Sequence, residues 1–308
     1  MAVIAAQASF TGTAIVSEFH DNEAVMSSGI VGTAPSPVTR IGFVGLGRMG
    51  LPMAAHAAAG GFQVTGWDVD ETAIADAAAA GCRPAQSLSH CARNSQAIFI
   101  IVPTDADFTA ACSQENGIFH NARPGTILCA CSSLLPETAS AMAAQAAGFG
   151  LEFLDMPLTK GVRAATSGTM TILVGGKTEI LDRLRPVLAT FSEAIHHVGG
   201  AGAGQVAKSV NNILLWSGLE SAIEALTLGR AYGLDVEALR RALLDCSADS
   251  WVLRELRLIQ PTWPAKDLAN VAHMAKKMRM DMPLVDRLRE LAGTTDQRER
   301  ISELFQDQ

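Results

Sequence analysis

From residue 40 onward, short apolar runs alternate with longer stretches whose apolar positions recur at helical spacing. Ile41, Phe43 and Val44 predict a short buried strand, Met49 to about Ala59 an alanine-rich helix, and Phe62 to Trp67 a second strand. Thr72 to Ala80 predicts another helix, and Ala97 to Val102 a nearly continuous apolar strand. Thr126 to Cys131 predicts a strand after the Pro124-Gly125 turn. Glu152 to Met156, Met170 to Val174 and Ala194 to Val198 extend the same sheet. After the glycine-rich turn Gly199 to Gly204 the character changes. Gln205 to Tyr232 is one long helical pattern, and the remainder also reads as helix. This pattern predicts an α/β part over residues 40–202 followed by a helical part over residues 203–308.

The first strand–helix junction carries the first chemical signal. Gly45-Leu46-Gly47-Arg48-Met49-Gly50 sets glycines at the spacing of a dinucleotide turn. Gly45 allows the tight turn, Gly47 lets backbone approach a pyrophosphate, and Gly50 permits close helix–strand packing. The amides at the helix start attract phosphate charge. Asp68, at the end of the second strand, can accept hydrogen bonds from both ribose hydroxyls and would repel a 2′-phosphate, so NAD is expected over NADP. Val102-Pro103-Thr104 and Ser132-Ser133 lie at later strand ends, where open parallel sheets place their cofactor crevice.

Composition narrows the class. The chain has 308 residues, 48% of them hydrophobic and 18% charged, which suits extensive burial in a soluble, cytoplasmic enzyme. A formal charge of −7 and the absence of a basic run argue against nucleic acid as a partner. Six cysteines without paired spacing do not make a disulfide framework, and Cys129 and Cys131 read as small core residues. No zinc pattern occurs, so no metal is expected. No apolar run is long enough to span a bilayer. The first 39 residues lack lysine and arginine and end in a turn-prone Gly-Thr-Ala-Pro-Ser-Pro stretch, Gly32 to Pro37. They predict a flexible extension rather than a secretory signal.

Two further segments point to catalysis. Asp155 to Gly176, DMPLTKGVRAATSGTMTILVGG, reads as a glycine- and threonine-rich loop framed by strands. In Gly202 to Asn212, GAGQVAKSVNN, the three- and four-residue spacing lets Lys208, Asn211 and Asn212 share a helix face and converge on one small molecule.

These motifs, with Lys266-Asp267-Leu268 further on, resemble in order those of the β-hydroxyacid dehydrogenases, the family of 3-hydroxyisobutyrate dehydrogenase and tartronate semialdehyde reductase. The resemblance runs from about Thr39 to the C-terminus. It implies a doubly wound Rossmann-type domain, a long interdomain helix and an all-α C-terminal domain, with the active site in the cleft. It implies that Lys208 is catalytic and that Asn212 or its neighbour Asn211 holds the substrate. Thr159, Lys160 and Gly161 match the loop that holds the substrate's acid group, and Lys266 matches a lysine near the nicotinamide. A small anionic hydroxyacid or semialdehyde and a homodimer or homotetramer follow as expected partners.

Two positions depart from the family pattern. Thr159-Lys160-Gly161 stands where relatives usually carry serine-glycine-glycine. Thr159 keeps the hydroxyl, while Lys160 offers a second cation of the kind the sulfolactaldehyde reductase branch carries as arginine. Ala130-Cys131-Ser132-Ser133 replaces an acid and a Ser-Thr pair but keeps both hydroxyls, so Ser133 remains a cofactor contact. Imine reductases share the architecture but commonly place aspartate or tyrosine where Lys208 stands. A binding module without turnover would not need the lysine.

Overall fold

The computed structural model describes residues 37–306 apart from residue 295, and this span forms one compact unit. The expected N-terminal extension lies outside the described residues up to residue 36. Its last three residues do not behave as an extension. Val38 packs into the core and Thr39 donates its backbone N–H to Gln96 Oε1 at 2.9 Å, so ordered packing begins before the predicted boundary.

An eight-stranded sheet runs through the first part of the chain. Its strands are β1 (Arg40–Val44), β2 (Gln63–Trp67), β3 (Arg83–Pro84), β4 (Ala97–Ile100), β5 (Ile127–Ala130), β6 (Glu152–Asp155), β7 (Met170–Gly176) and β8 (Ser192–Gly199). Their spatial order is β3-β2-β1-β4-β5-β6-β7-β8, parallel except for the β6–β7 pair. The chain therefore reverses direction from its first strand between β2 and β4, which creates the crevice of a doubly wound sheet at the C-terminal ends of β1 and β4.

Helices cover both faces. They are α1 (Gly50–Ala59), α2 (Glu71–Ala79), α3 (Leu88–Asn94), α4 (Asp105–Ser113), α5 (Ile118–Asn121), α6 (Pro136–Gly148), α7 (Gly161–Ser167) and α8 (Thr178–Leu188). One face of the sheet buries Phe43 stacked on Phe99 at 5.1 Å, with Phe191 edge-on to both. The other buries Ile98, Ile100 and Phe108. The fully buried runs of β1, β4 and β5 explain why these strands read as continuous apolar segments rather than alternating ones.

The rest is helical: α9 (Ala203–Ala231), α10 (Val236–Leu244), α11 (Trp251–Glu255), α12 (Pro264–Lys277), α13 (Pro283–Thr294) and α14 (Gln297–Leu304). These build a separate apolar core around Trp216, Leu219, Leu226, Leu256 and Leu268. Among the described residues no helix is long and apolar enough to cross a membrane.

The segment Asp155–Gly176 is not the loop its composition suggests, because α7 occupies its middle. Its alanines Ala164 and Ala165 face the sheet and are buried, a packing signal that the flanking glycines and threonines mask. Val102 lies beyond the end of β4, so the apolar run outlasts the strand by two residues.

Candidate active site

The glycine turn leaves β1 at Gly45, whose φ of +92° favours glycine. A Cβ there would lie 2.0 Å from Ile101 O, and one at Gly50 would lie 1.9 Å from Gly45 O, so both positions are closed to any side chain. At Gly47 a Cβ would meet nothing within 4 Å. This open cradle lies above the start of α1, whose first turn has no side-chain cap. The residues present therefore fit a dinucleotide phosphate, as an uncapped helix start beside bare backbone should.

Asp68 sits where β2 ends, and Oδ2 accepts from Leu46 N at 2.6 Å while Oδ1 accepts from Asp70 N at 3.0 Å. These bonds lock the acid to the glycine turn, leaving the carboxylate partly exposed. Leu46 itself is buried, whereas Arg48 reaches across to Gln260 Oε1 at 3.2 Å and lies 5.9 Å from the Trp263 ring. Met49 is half-buried against the core below the turn.

The other strand ends connect to the helix carrying Lys208. Val102 N donates to Ser132 Oγ at 2.8 Å, and Gln205 Nε2 donates to Ser132 O at 2.9 Å. Gln205 Oε1 accepts from Leu134 N, also at 2.9 Å. Ser132 thus serves the scaffold, and Ser133 beside it is less buried. Pro103 O accepts a hydrogen bond from Lys266 Nζ on α12, which brings Lys266 to the end of β4.

The fully buried Asp155 anchors the start of α9. It accepts from Gly202 N at 2.7 Å and from Gln205 N at 3.0 Å, satisfying amides that a helix start leaves free. Burial pushes its carboxyl upward, and the backbone donors around Gly202 and Gln205 pull it back. Gly204 is required beside it, because a Cβ would lie 2.7 Å from Asp155 Oδ2 and 2.8 Å from Leu173 O. Sequence reading marked Asp155 only as the start of a motif and passed over Gln205. The signal available was an acid at a strand end followed by a glycine-flanked helix start.

Lys208 lies about a turn and a half into α9. Burial pushes its ammonium below the usual lysine range, and the Asp267 carboxylate on α12 opposes that shift. Asp267 is itself pushed up by burial and held down by Lys208, by a hydrogen bond from Trp216 Nε1 at 3.2 Å, and by Lys266. Asn212 is buried on the same helix side. Asn211 is exposed and donates to Asn212 Oδ1 at 3.2 Å, so the two asparagines have different surroundings.

The 159–161 loop is less simple than predicted. Thr159 is buried and its hydroxyl donates to Thr171 O at 2.9 Å, so it is engaged within the loop. Lys160 takes a left-handed conformation, φ +67°, and its ammonium pairs with Glu193 on β8. The expected second cation therefore already has a carboxylate partner. Gly161, also at positive φ, opens α7.

The family profile for the NAD binding domain of 6-phosphogluconate dehydrogenase matches residues 40–199, and that for the NAD-binding domain of NADP-dependent 3-hydroxyisobutyrate dehydrogenase matches residues 202–303. The chain is 36% identical over 227 residues to a 3-hydroxyisobutyrate dehydrogenase of Pseudomonas aeruginosa, covering 74% of this chain and 75% of the relative. It is 32% identical over 225 residues to an NAD-dependent L-serine dehydrogenase of the same organism, covering 73% and 74%. The structure of 3-hydroxyisobutyrate dehydrogenase from Mycobacterium tuberculosis with L-serine superposes with a TM-score of 0.77 at 27% identity, over 87% of this chain and 99% of that one. Imine reductases, such as one from Myxococcus stipitatus at 17% identity and a TM-score of 0.62, share the fold. The two profiles together span nearly all of residues 40–303, and the chain is a member of the β-hydroxyacid dehydrogenase family of NAD(P)-binding oxidoreductases.

Proposed function

We propose that the protein is an NAD-dependent dehydrogenase that interconverts a small 3-hydroxyacid, of the 3-hydroxyisobutyrate type, with its semialdehyde. The observation that carries this reading is Lys208, a buried-side lysine on α9 with one carboxylate in its field and a lowered proton affinity. A lysine that gives up its proton more readily than an ordinary one is suited to donate it as ammonium and to take it back as amine, as acid–base catalysis requires.

Bound nicotinamide cofactor supplies the hydride. Lys208 donates its proton to the carbonyl oxygen as the aldehyde is reduced, and in its neutral form takes the hydroxyl proton in oxidation. Asn212 or Asn211 holds the oxygen side of the substrate, and the Thr159–Gly161 loop faces its acid group. For Thr159 to donate to a carboxylate, its hydroxyl must turn from Thr171 O. Lys266, drawn to Pro103 O, lies at the strand end where the cofactor crevice opens. Asp68 supports NAD over NADP, because a 2′-phosphate would meet its carboxylate.

The pairing of Lys160 with Glu193 favours a substrate with a single carboxylate over a sulfonate or other strongly anionic semialdehyde. A lysine at position 208 also separates this chain from an imine reductase and from a module that binds cofactor without turnover. The test is NADH and NADPH consumption with a panel of short semialdehydes bearing carboxylate, sulfonate or phosphate groups. The reading expects NADH oxidation with a carboxylate member. Binding of NADH with no oxidation by any member would sink it, and a preference for NADPH would overturn the role given to Asp68.

A further inference from the structure

Lys208, Asn212 and Trp216 recur every four residues along α9, so they follow one side of the helix with only a gradual drift. That side meets α12, which carries Asp267. Trp216 is buried in the helical core, and its indole N–H donates to Asp267 Oδ2 at 3.2 Å. A tryptophan indole is a donor only, so this bond engages a lone pair of Asp267 Oδ2 and fixes that oxygen on the Trp216 side. Asp267 acts on Lys208 through its field, yet no ion pair forms between them. Among the described residues Asp267 is the charged group whose field is resolved at Lys208, and Lys266, the adjacent cation on α12, acts on Asp267.

We propose that Trp216 is a positioning residue for proton transfer: its indole N–H holds the Asp267 carboxylate in the α9–α12 seam, away from the Lys208 ammonium, which stays uncapped toward the substrate. The inference rests on the function proposed above for Lys208. A carboxylate free to approach would close on the ammonium, block its donor face and hold its proton more tightly. A carboxylate absent altogether would leave the buried ammonium unsupported, and the proton would be lost too early. The indole sets an intermediate state between these two.

Two variants separate this role from a purely structural one. Trp216→Phe keeps the ring and removes the donor, and Asp267→Asn keeps the shape and removes the charge. The pH profile of kcat/KM for hydroxyacid oxidation, measured on the full chain, should shift in opposite directions. Its midpoint should rise by about one pH unit in Trp216→Phe and fall by a similar amount in Asp267→Asn. A titration of Lys208 by NMR after ¹³C-methylation of the lysines gives the same midpoint without turnover, with Lys208→Arg used to assign the signal. Opposite shifts support the proposal. Shifts of the same sign, or none in Trp216→Phe, overturn it. If the wild-type protein reduces no semialdehyde of the panel and oxidises no corresponding hydroxyacid, the proposed function fails, while the NMR titration still decides the role of Trp216.

Discussion

At the scale of single residues, the chemistry depends on where one lysine keeps its proton. Burial lowers the proton affinity of Lys208 below that of an ordinary lysine and Asp267 limits the fall. Oxidation needs the neutral amine, so its kcat/KM should rise with pH through a midpoint below that of an ordinary lysine and then level off. Reduction needs the ammonium and should fall through the same midpoint. Lys208→Ala should lose about 10²–10⁴-fold in kcat, the usual contribution of an acid–base group, with cofactor affinity nearly unchanged because the glycine cradle lies on another element. Wild-type turnover in the alanine variant would exclude Lys208 from the mechanism. Lys160 leads to a different outcome. Its ammonium is paired with Glu193 and its backbone is left-handed, a conformation that a β-carbon disfavours. Lys160→Gly should therefore change kcat/KM for carboxylate and sulfonate substrates by the same factor. A tenfold loss confined to the sulfonates would mean that Lys160 leaves Glu193 for the substrate.

At the scale of elements, α9 is positioned by its first turn. Asp155 accepts from the amides of Gly202 and Gln205, and Gln205 in turn ties the helix to the end of β5. This geometry depends on the close approach at Gly204, where a Cβ would contact Asp155 Oδ2 at 2.7 Å and Leu173 O at 2.8 Å, one of them backbone. Gly204→Ala should therefore destabilise the protein by about 1–3 kcal/mol, the usual cost of overpacking a closed site, and lower the thermal midpoint. Because the displaced helix start carries Lys208, kcat should fall as well. An alanine variant with unchanged melting and unchanged kcat would show that the helix start can shift without consequence. Much of this element pattern was legible in the sequence. Seven of the eight strands and the long helix follow from apolar runs and helical periodicity, with predicted ends within a few residues of the observed ones, whereas the two-residue β3, Arg83–Pro84, carries no apolar run and was not foreseen. The short helix α7 was not legible, since its glycines and threonines argue for a loop. In the fold its two alanines, Ala164 and Ala165, are buried, which the sequence alone did not reveal.

At the scale of the whole molecule, contacts across the cleft tie the sheet to the helical part. Arg48 reaches Gln260 and Trp263, Lys266 reaches Pro103 O, Arg163 pairs with Glu255, and His273 and Lys277 face Glu137. These contacts are exposed, so each adds little to stability, but together they set how the two halves meet around the cofactor crevice. Lys266→Ala should raise KM for the cofactor several-fold while leaving the thermal midpoint nearly unchanged, since an exposed hydrogen bond contributes about 1 kcal/mol or less. A lowered midpoint with unchanged KM would instead make Lys266 a purely structural tie.

The sequence by itself determined the glycine turn, the acid after the second strand, the four-residue spacing that puts Lys208 and Asn212 on one side of α9, and the change from α/β to all-α at the glycine-rich turn. These are local properties, written in glycine spacing and in the periods of apolar residues. Only the tertiary structure decided which side chains already have partners. Glu193 on β8 engages Lys160, Thr171 O engages the Thr159 hydroxyl, and Trp216 holds Asp267 across a helix seam. Each of these pairs joins residues far apart in the chain or on separate elements. Hydrogen bonds and charge pairs depend on distances of a few ångströms between such elements, and the packing of the cores sets those distances.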